Sequence, residues 1–145
     1  MSYQINLGQV SAMSTNDTRA VVNYAEVAKS FCNYYYLNVS AKGLAEVLQV
    51  FDPNVKCTYN SREIVGMHNI LIGLCSEGIS RIKYDKLTYS AMPVDRSTLL
   101  IQVYGLCQAT TFSGDCGNVY SFVETFVLKT DGTRIFVTNY IFKQL

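Results

Sequence analysis

The first part of the chain has a helical pattern of apolar residues, and most of the remainder has a strand pattern. From Thr18 to about Val39, apolar residues recur at steps of three and four, which predicts an amphipathic helix capped by Thr18. Ser40 begins a shorter apolar stripe that ends at the DPN segment 52–54, which predicts a second, short helix. Residues 67–76 repeat the helical pattern and predict a third helix.

Alternating apolar and polar residues predict about six strands. Two short strands cover 55–59 and 63–65, and four longer ones cover 79–89, 97–108, 119–129 and 133–143. A Thr130-Asp131-Gly132 turn joins the last two into a hairpin. The strand at 97–108 is apolar on both sides, so we expect both of its faces to be covered.

This order of elements predicts an α+β domain. Helices grouped on one face of a sheet define that class, and a curved antiparallel sheet wrapped around the N-terminal helix gives a cone. The length of 145 residues suits one domain, which we place at 19–145, preceded by a flexible N-terminal arm at 1–18. The sheet face that the helix leaves uncovered needs either solvent-tolerant residues or a partner.

Charge and cysteine usage narrow the possible functions. The chain has 12 Lys and Arg against 11 Asp and Glu, so it lacks the basic excess that direct nucleic-acid binding requires. Its five cysteines are widely spaced and His68 is its single histidine, so neither a zinc site nor another cofactor is predicted. No signal peptide or membrane span is expected, and we place the chain in the cytoplasm, the nucleus or both.

Four segments match motifs that occur in this order in one superfamily. FCNYYY at 31–36 matches an F-x-x-x-Y-Y helix motif, and Phe51, Thr58-Tyr59, Gly66 and Ile70 match a Y…TW…G-x-x-x-I segment. FVETFVL at 122–128 matches F-x-Q-T-F-x-L, and FVTNYIFK at 136–143 matches V-x-N-D-x-F-R. From about residue 28 to 143, the chain therefore resembles the nuclear transport factor 2-like superfamily, adaptor branch.

The resemblance implies a non-catalytic adaptor that binds protein partners. Some adaptors of the superfamily act in Ran-GDP import or in mRNA export. Others are domains of stress-granule scaffolds or of deubiquitinase cofactors. In transport factors, an aromatic residue at the position of Tyr59 receives phenylalanines of Phe-Gly nucleoporin repeats. Ran-GDP recognition uses an acid directly after that aromatic and others before the fifth strand, where this chain has Asn60 and Asp115. Asn60 has no charge, so the resemblance argues against Ran-GDP binding. The resemblance nevertheless makes Tyr59, Asn60 and Asp115 predicted partner contacts.

In the scaffold branch, a groove along the first helix takes short Phe-containing peptides. Phe31 and Phe126 match two aromatic positions of that groove, and Tyr35 follows in the same helix motif. We therefore predict that these three residues bind partners. Packing in the core is the alternative for Phe31 and Phe126.

The resemblance also implies pairing of two domains, identical or different, through the open sheet face. Glu124 and Asn139 match polar strand positions at that face, and Tyr140 stands where adaptors have Asp, so all three are predicted at the interface.

Two alternatives are kept. One is a nuclear import carrier for Ran-GDP that binds Phe-Gly nucleoporins, and the other is an isomerase or dehydratase that works inside the cone. This chemistry needs a carboxylate or histidine base facing a donor such as tyrosine. The candidates are Asp85, Glu124, Tyr35 and Tyr104. If the strand face of Phe122, Glu124 and Phe126 lines the cone, Glu124 is a buried acid.

Overall fold

The computed structural model describes residues 17–145, and for 17–22 and 74–76 it describes the backbone alone. Most of the predicted arm at 1–18 therefore lies outside the described residues. Helix α1 spans Asp17–Lys42, so Thr18 lies within the helix and does not precede it.

Helix α1 ends at a glycine whose backbone no other residue adopts easily. Gly43 has a φ of 97°, and its N–H donates to the carbonyls of Asn38 and Val39. A Cβ at this position would lie 2.5 Å from the carbonyl oxygen of Ser80, so the close approach of β3 also requires glycine. The predicted second helix is thus replaced by two 3-10 turns, at Leu44–Glu46 and Leu48–Val50.

Six strands and a second helix follow. The strands are β1 (Phe51–Tyr59), β2 (Arg62–Val65), β3 (Ile79–Asp95), β4 (Thr98–Thr111), β5 (Tyr120–Thr130) and β6 (Ile135–Gln144), and α2 spans Met67–Ser76 between β2 and β3. The bounds of α2 agree with the prediction. In the residues described, α1 and α2 both lack the run of apolar residues that crossing a bilayer requires.

The strands form one sheet in the order β2-β1-β6-β5-β4-β3. The predicted α+β cone is confirmed, with one correction: β1 and β6 pair in parallel, so the sheet is mixed. Two strands joined by a hairpin must be antiparallel. Strands β1 and β6 are far apart in the sequence, so no short turn constrains their relative direction.

Strand β3 is longer than predicted because it lies at the edge of the sheet. It passes through Pro93, which pairs with Leu99. Proline lacks a ladder donor, and an edge strand needs none on its open side. The turn therefore falls after Asp95, whose carboxylate accepts a hydrogen bond from the Ser97 N–H. A bulge between Asp85 and Thr88, with Lys86 at a φ of 53°, also interrupts the strand.

The core lies between α1 and the concave face of the sheet. Its largest fully buried side chains include Tyr35, Phe31, Phe122 and Phe126. Aromatic rings from α1, β1, β5 and β6 meet there at centroid distances near those preferred for stacked or edge-on pairs.

Candidate functional site

A buried carboxyl group lies at the centre of the cone. Strand β5 alternates between its two faces, and Phe122, Glu124 and Phe126 point inward. Glu124 is 2% exposed. An acid this deeply buried is uncommon unless it is paired or protonated.

Three phenol groups surround the Glu124 carboxyl. The Tyr36 hydroxyl donates to Oε1 at 2.7 Å, and the Tyr140 hydroxyl bonds to Oε2. Burial raises the pKa of Glu124 from 4.5 to about 7, although the hydroxyls of Tyr140, Tyr36 and Tyr35 act to lower it. Burial therefore favours the protonated acid.

This geometry corrects the predicted interface. Glu124 and Tyr140 do not lie on the outer sheet face, because both strands turn these side chains into the cone, where they hydrogen-bond to each other. Asn139 is exposed on the outer face, as the prediction requires. The strand period predicts which residues share a face, but which face the helix covers depends on the assembled sheet.

The predicted peptide groove at Phe31, Tyr35 and Phe126 is also corrected. All three side chains are fully buried and pack ring against ring, with centroids 4.9–5.8 Å apart. A partner cannot reach them without displacing α1. Phe31 and Phe126 therefore pack in the core, which was the alternative prediction for them.

The other predicted contact residues lie at the surface or near it. Tyr59 is half-buried and stacks on Phe142 at 4.8 Å. Asn60 is exposed in the turn after β1, where its side-chain oxygen accepts from the Gln144 N–H at 2.7 Å. Asp115 is exposed in the loop after β4, and its carboxylate accepts from Ser113 in the same loop. Their roles in partner binding remain predictions.

Of the four predicted catalytic candidates, the structure brings Glu124 and Tyr35 together inside the cone. Asp85 is exposed on edge strand β3, and Tyr104 is 51% exposed on the outer face. Among the described residues, no three His, Cys, Asp or Glu side chains are placed to hold a metal ion.

The cavity beside Glu124 is small. It measures about 20 Å³ and is enclosed mainly by aromatic and aliphatic side chains, including Tyr35, Tyr84 and Tyr140. A volume of this size admits about one water molecule. Side chains thus fill the cone almost completely.

A larger volume lies outside the cone, between α1 and β3. This α1–β3 groove measures about 370 Å³ and is lined by Cys32, Asn33, Tyr36, Leu37, Ser40, Tyr84, Leu87, Tyr89 and Val103. Leu37 is 63% exposed, and Leu87 and Tyr89 are also exposed. Sequence reasoning missed this groove because its walls come from distant segments. The one local signal was Leu37, an apolar residue off the buried stripe of α1.

The outer face of the sheet is the second open surface. Cross-strand pairing places three rows there: Leu100, Val127 and Asn139; Gln102, Thr125 and Ile141; Tyr104, Val123 and Lys143. Only Lys143 among these nine is charged, and Ile141 is 49% exposed. The expectation that both faces of β4 are covered is therefore not met within the described chain. Weakly charged, partly apolar faces of this kind are typical of protein interfaces.

The fold and its two open surfaces define a class: an α+β cone with an aromatic core and an unpaired sheet face. A family model described as the Nuclear transport factor 2 (NTF2) domain matches residues 27–144. The chain belongs to this family.

Solved structures share the same fold at low sequence identity. Nuclear transport factor 2 of Cryptosporidium parvum superposes with a TM-score of 0.71 at 18% identity, covering 84% of this chain and 94% of that one. The yeast UBP3-associated protein BRE5 gives 0.58 at 17% identity, with coverages of 84% and 96%. A protein assigned as a scytalone dehydratase from Novosphingobium aromaticivorans gives 0.65 at 10%, with coverages of 89% and 87%. The fold is therefore shared by a transport factor, a UBP3-associated protein and a protein assigned as a dehydratase. Comparison with curated protein sequences gives no match.

Proposed function

We propose that this chain is a non-catalytic adaptor that takes a short Phe-containing segment of a partner protein in the α1–β3 groove. One observation carries the proposal: the α1–β3 groove has an open volume of about 370 Å³, whereas the cavity inside the cone holds about 20 Å³. Ligand sites in proteins usually measure several hundred Å³. We place this activity in nucleocytoplasmic transport or ribonucleoprotein scaffolding, in the cytoplasm and nucleus, by likeness to the transport factor and to BRE5.

The chemistry of the groove suits an aromatic side chain. Its walls include the tyrosine rings of Tyr36, Tyr84 and Tyr89 and the exposed side chain of Leu37. A phenyl ring that enters gains edge-on or offset contacts with such rings, in addition to the burial of its own surface. Asn33 at the rim offers an amide that can bind the backbone of an extended segment.

Leu37→Asp is expected to weaken binding of Phe-containing peptides by about tenfold or more, because a charge then faces the incoming ring. Fluorescence polarisation with a labelled Phe-Gly-repeat peptide, and with peptides selected from a displayed library, measures the effect. Tyr59→Ala is the second variant and tests the alternative site, since Tyr59 lies outside the groove at the position that contacts nucleoporins in transport factors. If Tyr59→Ala weakened peptide binding and Leu37→Asp did not, the binding site would lie at β1. If no Phe-containing peptide bound, the proposal would be refuted.

We further propose that two domains pair through the outer sheet face, as a homodimer or a heterodimer. The three central rows contain a single charge, Lys143, so pairing of two such faces brings at most one lysine from each into the contact. A specific interface needs roughly 800 Å² on each partner, which is the scale of a sheet face of this length.

Ile141→Glu is expected to convert the homodimer to a monomer, because each copy would bury a charge near the centre of the contact. Sedimentation equilibrium at tens of micromolar protein measures this change. Ile72→Glu is the control, since Ile72 is exposed on α2, away from the sheet face. A wild-type chain that is monomeric at these concentrations and also fails to pair with a second protein argues against the interface.

A buried acid among phenols favours a second candidate, an isomerase or dehydratase. A carboxyl group with a pKa near 7 beside tyrosine donors is the arrangement that acid–base catalysis uses. This candidate requires the cone to enlarge by some hundreds of Å³ before a substrate can reach Glu124.

A further inference from the structure

Two tyrosine rings separate the α1–β3 groove from the buried acid. Tyr36 lines the groove, and its hydroxyl donates to Glu124 at 2.7 Å. Tyr84 lines both the groove and the cavity beside Glu124. The two rings meet edge-on, with centroids 4.6 Å apart and planes at 81°. This Tyr36–Tyr84 pair therefore stands between the solvent-exposed groove and the carboxyl group.

Among the described residues, the titratable groups whose pKa values Glu124 raises are tyrosines and cysteines, which are neutral at neutral pH. From α1 and β1 these are Cys32, Tyr35, Tyr36, Cys57 and Tyr59, and their pKa values are raised mainly by burial.

The remaining strands add groups of the same kind. They are Tyr84 on β3, Cys107 on β4, Tyr120 on β5 and Tyr140 on β6, again with raised pKa values. Among the side chains that the structure describes, no cation forms an ion pair with Glu124. The ionised carboxylate would therefore have phenol hydrogen bonds but no counter-ion.

We propose that the Tyr36–Tyr84 pair is a gate controlled by the proton on Glu124: it is closed when the acid is protonated, and loss of the proton opens it, hydrates the carboxylate and widens the α1–β3 groove. The use of this gate to regulate peptide binding rests on the proposed function. The gate itself does not.

Helix α1 is the element that yields. Strands β5 and β6 are fixed in the centre of the sheet by ladder hydrogen bonds on both sides. Helix α1 is attached through side chains, among them the Tyr36–Glu124 bond and a bond from the Ser40 hydroxyl to the Ile82 carbonyl. A shift of the last turns of α1 therefore breaks side-chain contacts and leaves the ladder hydrogen bonds of the sheet intact.

The expected pH range follows from the burial of Glu124, which raises its pKa from 4.5 to about 7 in the closed state. In the open, hydrated state we expect the pKa to return toward the ordinary value. The opening equilibrium then rises roughly twenty-fold between pH 5.5 and pH 7.5.

Amide hydrogen exchange of the full chain at pH 5.5, 6.5 and 7.5 tests the gate. After correction for intrinsic exchange rates, amides of residues 31–40 in the wild type should lose about twenty-fold in protection across this range. Central β4 amides, such as those of Ile101 and Val103, should stay more protected than α1 at every pH. In Glu124→Gln, a neutral isostere, the pH dependence of α1 should vanish.

Tyr36→Phe is the second variant, because it keeps the ring and removes the hydroxyl bond to Glu124. It should lower the protection of residues 31–40 already at pH 5.5. A flat wild-type profile, a pH dependence that persists in Glu124→Gln, or equal protection of α1 and β4 at all pH values would overturn the gate. Since no peptide is present, these results are independent of the binding test for the groove.

Discussion

Raising the pH from 5 to 8 is expected to destabilise the folded domain by roughly 2–3 kcal/mol through Glu124 alone. Burial raises the folded-state pKa from 4.5 to about 7, so the folded protein binds this proton more tightly than the unfolded chain does. The stabilisation is fully present below pH 4.5 and is lost as the pH rises to about 7. Urea unfolding at fixed protein concentration measures it, because the proposed pairing would make stability depend on concentration.

Glu124→Gln provides the control for this pH effect. The variant keeps the shape and neutrality of the protonated acid, so its stability should change little between pH 5 and pH 8. Hydrogen bonds lower the pKa of Asp131 to about 2, and backbone bonding to Ser97 lowers that of Asp95. Both act with the opposite sign and below about pH 4, outside this window. If the free energy of unfolding of Glu124→Gln fell with pH as steeply as that of the wild type, the pH effect would belong to other groups.

The sequence predicts the elements of this fold better than it predicts their faces. The bounds of α2 and the β5–β6 hairpin follow from local periodicity and turn residues, which need no knowledge of the rest of the chain. The alternation on β5 likewise predicts that Glu124 shares a face with Phe126. The alternation cannot tell whether that face meets α1 or solvent. The prediction that Glu124 and Tyr140 lie at the interface was wrong for this reason.

The groove was unpredictable for a different reason. Its walls combine Leu37 on α1 with Leu87 and Tyr89 on β3, and the bulge at Lys86 shifts which β3 residues point inward. A bulge changes the strand period by one residue without a clear sequence signal. Sites built from such long-range contacts become visible only in the assembled sheet.

The resemblance to the scaffold branch predicts residue types better than it predicts what those residues do. Phe31 and Phe126 match aromatic groove positions, yet both are fully buried here. The open groove lies between α1 and β3. A family motif therefore fixes where an aromatic side chain stands in the sequence, and the local packing decides whether that ring is covered.

Phe126→Ala is expected to destabilise the domain by about 4 kcal/mol, because it removes a fully buried phenyl ring and leaves a cavity. The ring of Phe126 contacts those of Phe31, Tyr35 and Tyr140, with centroids 5.0, 4.9 and 5.2 Å away. The deletion therefore also loses three aromatic pairs. Urea unfolding at pH 6 measures the change, and Phe126→Leu, which keeps more of the volume, should lose less.

Phe112→Ala is the matched control, since it makes the same chemical change at a side chain that is 69% exposed. Its effect on stability should stay within about 0.5 kcal/mol. The pair of variants separates the two readings of Phe126, because a groove residue would affect peptide binding and leave stability near that of the wild type. Equal stabilities of Phe126→Ala and Phe112→Ala would show that α1 does not cover the ring of Phe126. The aromatic core around Glu124 would then be wrong.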